Sequence, residues 1–113
     1  MIRRGEIWRI DLDPTKGSEI QKVRPVVVVS ADTIGILDLK VVVPVTDWKP
    51  RYASYPWMVQ LTPVPENGLS KVSAVDCYQV RSVSVDRFIK CVGTVSASGL
   101  DDILAAIQIV LGV

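Results

Sequence analysis

The stretch Pro25-Val26-Val27-Val28-Val29-Ser30 carries the clearest structural signal in the chain. A run of β-branched valines bounded by proline and serine is typical of a β-strand buried on both faces. Residues 39–45, Leu-Lys-Val-Val-Val-Pro-Val, predict a second such strand, and Pro44 is expected to put its end at a sheet edge or a bulge. These two strands are predicted to form the centre of the core.

Shorter β-type segments surround this pair and are separated by polar stretches. The predicted strands cover residues 6–12, 57–61, 72–80 and 88–95. Residues 13–23 and 81–87 are predicted to be loops, and Asn67-Gly68 is a strong turn signal. The chain should therefore contain five or six strands.

The last segment changes to helical periodicity. Apolar side chains recur along one stripe at Leu100, Ile103, Leu104, Ile107, Val110 and Leu111. We expect the Ser98 hydroxyl to accept from the Asp101 amide, Asp101 and Asp102 to occupy the first turn, and Gly112 to end the helix. The predicted fold is mainly β, a small β-barrel with a C-terminal amphipathic helix packed on it.

Composition excludes several classes of protein. The 113 residues fit one domain, 1–113. With 13 basic and 12 acidic residues the net charge is +1, which rules out a strongly basic histone-like binder. The chain has no histidine, which removes Ser-His-Asp triads, histidine-zinc sites and two-histidine RNA cleavage.

Hydropathy and cysteine content indicate the cellular location of the protein and exclude some kinds of site. Mean hydropathy is +0.32, yet no apolar run reaches the roughly 18 residues of a membrane span or resembles a signal peptide. We therefore expect a cytoplasmic protein whose apolar residues lie in a core or an interface. Cys77 and Cys91 match no zinc or redox motif, and we expect both to be buried in strands.

A charged loop and the end of a strand are candidates for phosphate chemistry. The loop from Asp13 to Arg24 carries Lys16, Glu19, Lys22 and Arg24, and Pro25 restricts the backbone of Arg24 at the mouth of a stiff strand. The alternative is a solvated charged loop. Thr46 ends a hydrophobic strand and can aim its hydroxyl, or it can make a local backbone hydrogen bond instead.

Residues 48–57 and 76–81 are further candidates. The first stretch holds four of the seven aromatic residues, with Lys49 and Arg51 among them, a pattern that suits single-stranded nucleic acid. Its aromatics can equally cover the core or a partner surface. In the second, Gln79 and Arg81 share a strand face, and Asp76 joins them only across a bulge; outward-facing polar residues are the alternative.

Motifs in this order resemble the MazF/PemK/Kid family of toxin–antitoxin endoribonucleases over nearly the whole chain. The matching motifs are Arg4-Gly5-Glu6-Ile7-Trp8, Asp11-Leu12-Asp13-Pro14, Gly17-Ser18-Glu19, Arg24-Pro25-Val26-Val27-Val28, Pro44-Val45-Thr46 and Gln79-Val80-Arg81-Ser82. The Gly-Ser-Glu loop followed by Arg-Pro-Val-Val is the most specific of them. One position departs: Tyr78 stands where many members carry Asp or Glu.

The resemblance implies an SH3-like barrel, a homodimer and metal-independent cleavage of single-stranded RNA without a cofactor. It also implies a cognate antitoxin whose C-terminal segment occupies the RNA groove; we expect no DNA or membrane partner. By the same resemblance Arg24 and Thr46 match the catalytic pair and Glu19 the acidic loop residue, our candidate general base. Expected substrate contacts are Lys16, Ser18, Lys22, Asp47, Gln79, Trp48, Arg51 and Tyr52.

The chemistry of RNA agrees with this interpretation. RNA carries its own nucleophile, the 2′-hydroxyl, so the protein has only to orient it, stabilise developing charge and help the 5′-oxygen leave. Two alternatives remain. One is a CcdB-like toxin, which shares the fold but binds DNA gyrase and has no nuclease activity. The other is an SH3-like adaptor that binds extended peptides through Trp8 and the loop aromatics.

Overall fold

A computed structural model describes residues 1–35 and 37–113. Within them the chain forms seven strands and one α-helix: β1 (Glu6–Asp11), β2 (Val23–Val28), β3 (Leu39–Asp47), β4 (Met58–Leu61), β5 (Ser73–Asp76), β6 (Arg81–Ser84), β7 (Phe88–Thr94) and α1 (Ala97–Leu111). Three short 3-10 turns lie at Pro50–Ser54, Cys77–Gln79 and Val85–Arg87. Among the described residues, none of the helices has the length and apolarity that crossing a bilayer requires.

The strands form one antiparallel sheet in the order β4-β5-β3-β2-β1-β7, with β6 paired to β3 beside this path. The long strand β3 belongs to both halves of the sheet, because its first part pairs with β2 and β6 and its last three residues pair with β5. The mainly β fold with a C-terminal helix is confirmed. Within the described residues β4 and β7 do not pair with each other, so the sheet stays open.

Two cores lie on opposite faces of the sheet, because successive side chains of a strand point to opposite sides. The helix-side core contains Val27, Val43, Val45 and Ile103, and α1 covers it. The second core, on the other face, contains Ile10, Leu12, Val26, Val28, Val42 and Val83. Each fully buried valine contributes on the order of 1.5–3 kcal/mol relative to an exposed one.

Several predicted boundaries are wrong for identifiable reasons. Residues 72–80 are not one strand, since β5 ends at Asp76 and a 3-10 turn follows. Part of the predicted loop 81–87 is β6, which supplies the seventh strand. Pro44 is not at an edge: it is buried opposite Val26, at the point where β3 changes partners. Cys77 is buried as expected, but in a 3-10 turn and not in a strand, and Cys91 is exposed on β7.

The ends of α1 test the capping prediction. The hydroxyl of Ser96, not Ser98, caps the helix by accepting from the Gly99 amide at 3.0 Å. The helix starts at Ala97, so Asp101 and Asp102 lie beyond its first turn and that expectation is wrong. Gly112 ends the helix as predicted, in the left-handed conformation with φ +73°, which glycine adopts without a Cβ penalty.

Candidate active site

The loop between β1 and β2 is closed at its base by backbone and side-chain contacts. The Leu12 amide donates to the carbonyl of Lys22 at 3.0 Å, and the Lys22 amide donates to Asp13 Oδ1 at 3.1 Å. The guanidinium of Arg87 donates to the carbonyls of Asp11 and Asp13. These contacts fix where the loop leaves and rejoins the sheet.

Gln79 joins the tip of this loop to the body of the protein. Its Oε1 accepts from the Ile20 amide at 2.6 Å, while its Nε2 donates to the Ser18 carbonyl at 3.2 Å and to Asp76 Oδ2 at 3.1 Å. The 3-10 turn Cys77–Gln79 makes this geometry possible, because it brings Gln79 beside Asp76 although three positions separate them. The amide of Gln79, predicted to contact substrate, is thus engaged within the protein.

A cavity of about 580 Å³ opens between the loop tip and this 3-10 turn. Glu19, Asp76 and Arg81 contribute charged groups to its wall, and Trp57 and Tyr78 contribute aromatic rings. The expected substrate residues Ser18 and Gln79 also line it. A cleft with an apolar wall and a few polar groups is typical of a ligand site.

Arg24 and Thr46 meet at a second cavity, of about 240 Å³. The pairing of β2 with β3 explains this, since Val26 lies opposite Pro44 and Arg24 and Thr46 each lie two residues beyond this pair, at the same end of the two strands. By strand alternation both belong to the face that carries the second core, and both are partly buried. The structure therefore places Arg24 and Thr46, two of the three residues expected to act in catalysis, at one cavity.

Several polar groups lie near this pair. Arg24 Nε donates to the Gln21 carbonyl at 3.4 Å. Asp47 also lines the cavity and forms an exposed salt bridge of 3.3 Å with Lys71. Glu19, the predicted base, lines the larger cavity instead, where its Oε1 accepts from the Lys16 amide at 2.6 Å.

The remaining predicted contacts lie outside these two cavities. Lys16 and Lys22 are exposed on the loop. Trp48 and Tyr52 begin a chain of neighbouring rings, with centroids 5.8 Å apart, and the Arg51 guanidinium lies 5.2 Å from the Tyr52 ring centre.

This aromatic ribbon is made of Trp48, Tyr52, Tyr55, Trp57 and Tyr78. Tyr55 stacks on Trp57 at 4.9 Å, and Trp57 meets Tyr78 edge to face at 5.6 Å. The ribbon thus runs from the end of β3 to the rim of the larger cavity. Residues 48–57 do not simply cover the core, because one end of their ring system lines an open cleft.

Burial changes the acidity of two neighbouring groups. Desolvation raises the pKa of Asp76 above its ordinary value, although hydrogen bonds from the Tyr78 amide and the Gln79 side chain oppose the shift. Burial, helped by the charge of Asp76, raises the pKa of Cys77 to about 12, so this thiol stays protonated at neutral pH. Within residues 1–35 and 37–113, no group of three or more Cys, Asp or Glu side chains is arranged to hold a metal ion.

The sequence named residues 48–57 and 76–81 as candidate stretches, but the expected catalytic and substrate-contact residues did not include Asp76, Trp57, Tyr78 or Arg81. For Asp76 a signal existed, because it is the one acidic residue among residues 72–80, an otherwise largely apolar stretch. No spacing rule could place Trp57 beside Tyr78, since they come from separate segments that only the β4–β5 pairing brings together.

A family model described as "PemK-like, MazF-like toxin of type II toxin-antitoxin system" matches residues 3–111. The chain belongs to this toxin family. The toxin is 37% identical to "Endoribonuclease MazF9" of Mycobacterium tuberculosis, over 96% of its own length and 95% of the relative's.

Solved structures give the same assignment for the fold of the toxin. MazF (Form-I) from Deinococcus radiodurans superposes with a TM-score of 0.80 at 25% identity, covering 99% of this chain and 97% of the other. The MazE-MazF structure (Form-II) from the same organism gives a TM-score of 0.73 at 25% identity, with 98% and 96% covered. Membership in this family favours a nuclease over the CcdB-like and adaptor alternatives.

Proposed function

We propose that this toxin is an endoribonuclease that cleaves single-stranded RNA, mRNA included, at short sequence motifs. The single observation that carries the proposal is the shared cavity of Arg24 and Thr46, two side chains 22 positions apart in the chain. The relative named an endoribonuclease, aligned over almost the whole length, supports the same activity. An adaptor or a gyrase-binding toxin has no need for a guanidinium and a hydroxyl at one cleft.

The reaction follows from the chemistry of the two groups. The 2′-hydroxyl attacks the adjacent phosphorus, the O2′–P bond forms, and the P–O5′ bond breaks. Arg24 stabilises the charge that develops on the phosphoryl oxygens, because a guanidinium is planar, always cationic and able to donate to two oxygens at once. Thr46 orients the phosphate through its hydroxyl. The products are a 2′,3′-cyclic phosphate and a 5′-hydroxyl.

Two proton transfers accompany this step. The 2′-hydroxyl proton must pass to a base, and Glu19 remains our candidate for it, although its carboxylate lines the neighbouring cavity. The departing 5′-oxygen takes a proton from solvent, while Arg24 stays cationic and stabilises the developing charge by donating hydrogen bonds. No step in this scheme uses a metal or another cofactor, so cleavage should proceed equally well in EDTA.

Arg24→Ala and Thr46→Ala test the assignment. Removing a preorganised donor of this kind lowers the rate by roughly 100- to 1000-fold. We expect that loss for Arg24→Ala, with an unchanged far-ultraviolet circular dichroism spectrum, and a smaller loss for Thr46→Ser than for Thr46→Ala. Lys90→Ala, an exposed cation of β7 that lines neither cavity, is the control. An Arg24→Ala protein that cuts RNA at the wild-type rate would contradict the proposal.

The partners are part of the same proposal. We propose a cytoplasmic homodimer held by apolar surface and inhibited by a cognate antitoxin, and membership in a family of type II toxin-antitoxin toxins supports the antitoxin. Exposed apolar side chains near the C-terminus, Ile109, Leu111 and Val113, provide such surface. Light scattering that reports a monomer at micromolar concentration would contradict the dimer.

A further inference from the structure

Tyr78 is the most exposed ring at the rim of the larger cavity. Its relative exposure is 65%, while Trp57 beside it is partly buried. An exposed aromatic ring at the rim of a cleft presents a flat face on which a base can stack. This residue departs from the family pattern described above, so the pattern assigns it no role.

The surroundings of Tyr78 hold its ring in place before any ligand arrives. Its backbone amide donates to Asp76 Oδ1 at 3.1 Å. Its ring meets Trp57 at an interplanar angle of 88°, and Trp57 in turn stacks on Tyr55 with planes only 10° apart. An edge-to-face contact braces one side of the tyrosine and leaves ring surface available. Such preorganisation lowers the entropy lost on binding.

The cavity wall next to this ring offers both kinds of hydrogen-bonding group. Glu19 supplies a carboxylate acceptor and Arg81 supplies guanidinium donors, whereas both oxygens of the buried Asp76 already accept hydrogen bonds within the protein. Within the described residues, Arg81 belongs to no ion pair. The edge of a nucleobase likewise presents donors and acceptors side by side. A purely apolar peptide side chain would leave these groups without partners, which is costly.

The position of the cavity links it to the proposed chemistry. Pro44 of β3 lines the larger cavity and Thr46, two residues further on the same face, lines the smaller one. Two residues of a strand span about 7 Å, comparable with the distance between neighbouring nucleotides in an extended strand. A nucleotide next to the phosphate at Arg24 would therefore reach the larger cavity.

We propose that this cavity is a nucleobase subsite in which the base beside the cleaved phosphodiester stacks on Tyr78. The proposal rests on the proposed function, since it assumes that RNA is the substrate. Asp76 and Gln79 build the wall of the subsite, and Glu19 and Arg81 face the edge of the base. Tyr78 thus supplies affinity, and the polar wall supplies preference among bases.

The test measures binding of a non-cleavable 2′-O-methyl RNA that spans one mapped cleavage motif, with one abasic nucleotide walked through it. Replacing an aromatic side chain that stacks on a base by alanine typically costs about 1–3 kcal/mol of binding free energy. Tyr78→Ala should therefore weaken RNA binding by about 5- to 150-fold. Tyr78→Phe should retain nearly wild-type affinity. At one nucleotide the losses of binding free energy caused by the abasic change and by Tyr78→Ala should not be additive, because both changes remove the same contact. Tyr52 belongs to the ribbon but lies outside the cavity. Any loss of affinity caused by Tyr52→Ala should therefore be additive with that of the abasic change at the same nucleotide.

Other outcomes are decisive. Unchanged RNA affinity in Tyr78→Ala, or full additivity at every nucleotide, overturns the subsite. Loss of antitoxin binding with unchanged RNA affinity also overturns it and assigns the cavity to the antitoxin. A wild-type protein that binds this RNA with the predicted coupling but cuts no cleavable version contradicts the proposed nuclease and leaves the subsite standing. A protein that neither binds nor cuts overturns both.

Discussion

Gln79 Nε2 donates a 3.1 Å hydrogen bond to Asp76 Oδ2, and the same side chain holds the Ile20 amide and the Ser18 carbonyl. One amide thus connects a buried carboxylate at the end of β5 to the loop that carries Glu19. The larger cavity exists in its present shape because this connection keeps the loop tip against the 3-10 turn Cys77–Gln79.

Gln79→Ala should release the loop. The change removes three hydrogen bonds, and the partly buried Ile20 amide loses its acceptor, at a cost of about 1–3 kcal/mol. We expect faster amide hydrogen exchange at Ile20 and a higher KM for RNA. Gln60→Ala, an exposed glutamine of β4, is the matched control and should leave both unchanged. Wild-type exchange at Ile20 in Gln79→Ala would show that the loop is held in another way.

The pKa of Asp76 predicts a pH dependence of stability. Because burial raises this pKa above its ordinary 3.8, the folded protein binds the proton more tightly than the unfolded chain does. The stability contributed by the group is fully present below pH 3.8 and is lost as the pH rises through the folded pKa. Asp76→Asn abolishes the titration. The difference in the free energy of unfolding between the wild type and Asp76→Asn, wild type minus variant, should therefore decrease as the pH rises towards neutrality. Urea titrations across this range measure it, and a rising difference would contradict the sign.

The two cysteines should react at very different rates. Cys91 is exposed, whereas Cys77 is buried and its pKa is raised to about 12, so little thiolate forms at neutral pH. Ellman's reagent should modify one thiol rapidly in the native protein and the other only after unfolding. In Cys91→Ala the fast phase should disappear. A fast phase that persists in this variant would mean that Cys77 is accessible.

The cap of α1 gives a stability prediction with an internal control. Ser96→Ala removes the hydroxyl that accepts from the Gly99 amide, and we expect a loss of about 0.5–2 kcal/mol in the free energy of unfolding. Ser98→Ala, two residues further on, removes no capping bond and should cost clearly less. Equal losses in the two variants, measured by denaturant titration, would place the cap elsewhere.

Local patterns located most elements of the fold. The valine runs predicted the central strands, and β2 and β3 overlap them closely. Helical periodicity predicted α1, and Gly112 ends it. The predictions failed where a short element has no period of its own. Four residues of β6 carry too little alternation to be recognised, and only pairing with β3 makes them a strand.

The candidate site, like the fold, was predicted from the sequence only in part. Motif order was enough to select Arg24 and Thr46 as the proposed pair, and the register between β2 and β3 explains why they meet. Glu19 was selected by the same motifs, but the fold places it at a different cavity. Sequence spacing cannot show which of two neighbouring clefts a loop side chain faces, because that depends on how the loop tip is anchored.

By itself the sequence determined the β-rich class, the C-terminal helix, the family resemblance and the identity of the proposed catalytic pair, since all of these follow from residue type and local order. Only the tertiary structure decided that Gln79 anchors the loop through Asp76, and that Tyr78 borders a cleft with Trp57 behind it. The physical reason is that these contacts join segments distant in the chain. Their geometry is set by strand pairing and burial, which no local pattern encodes.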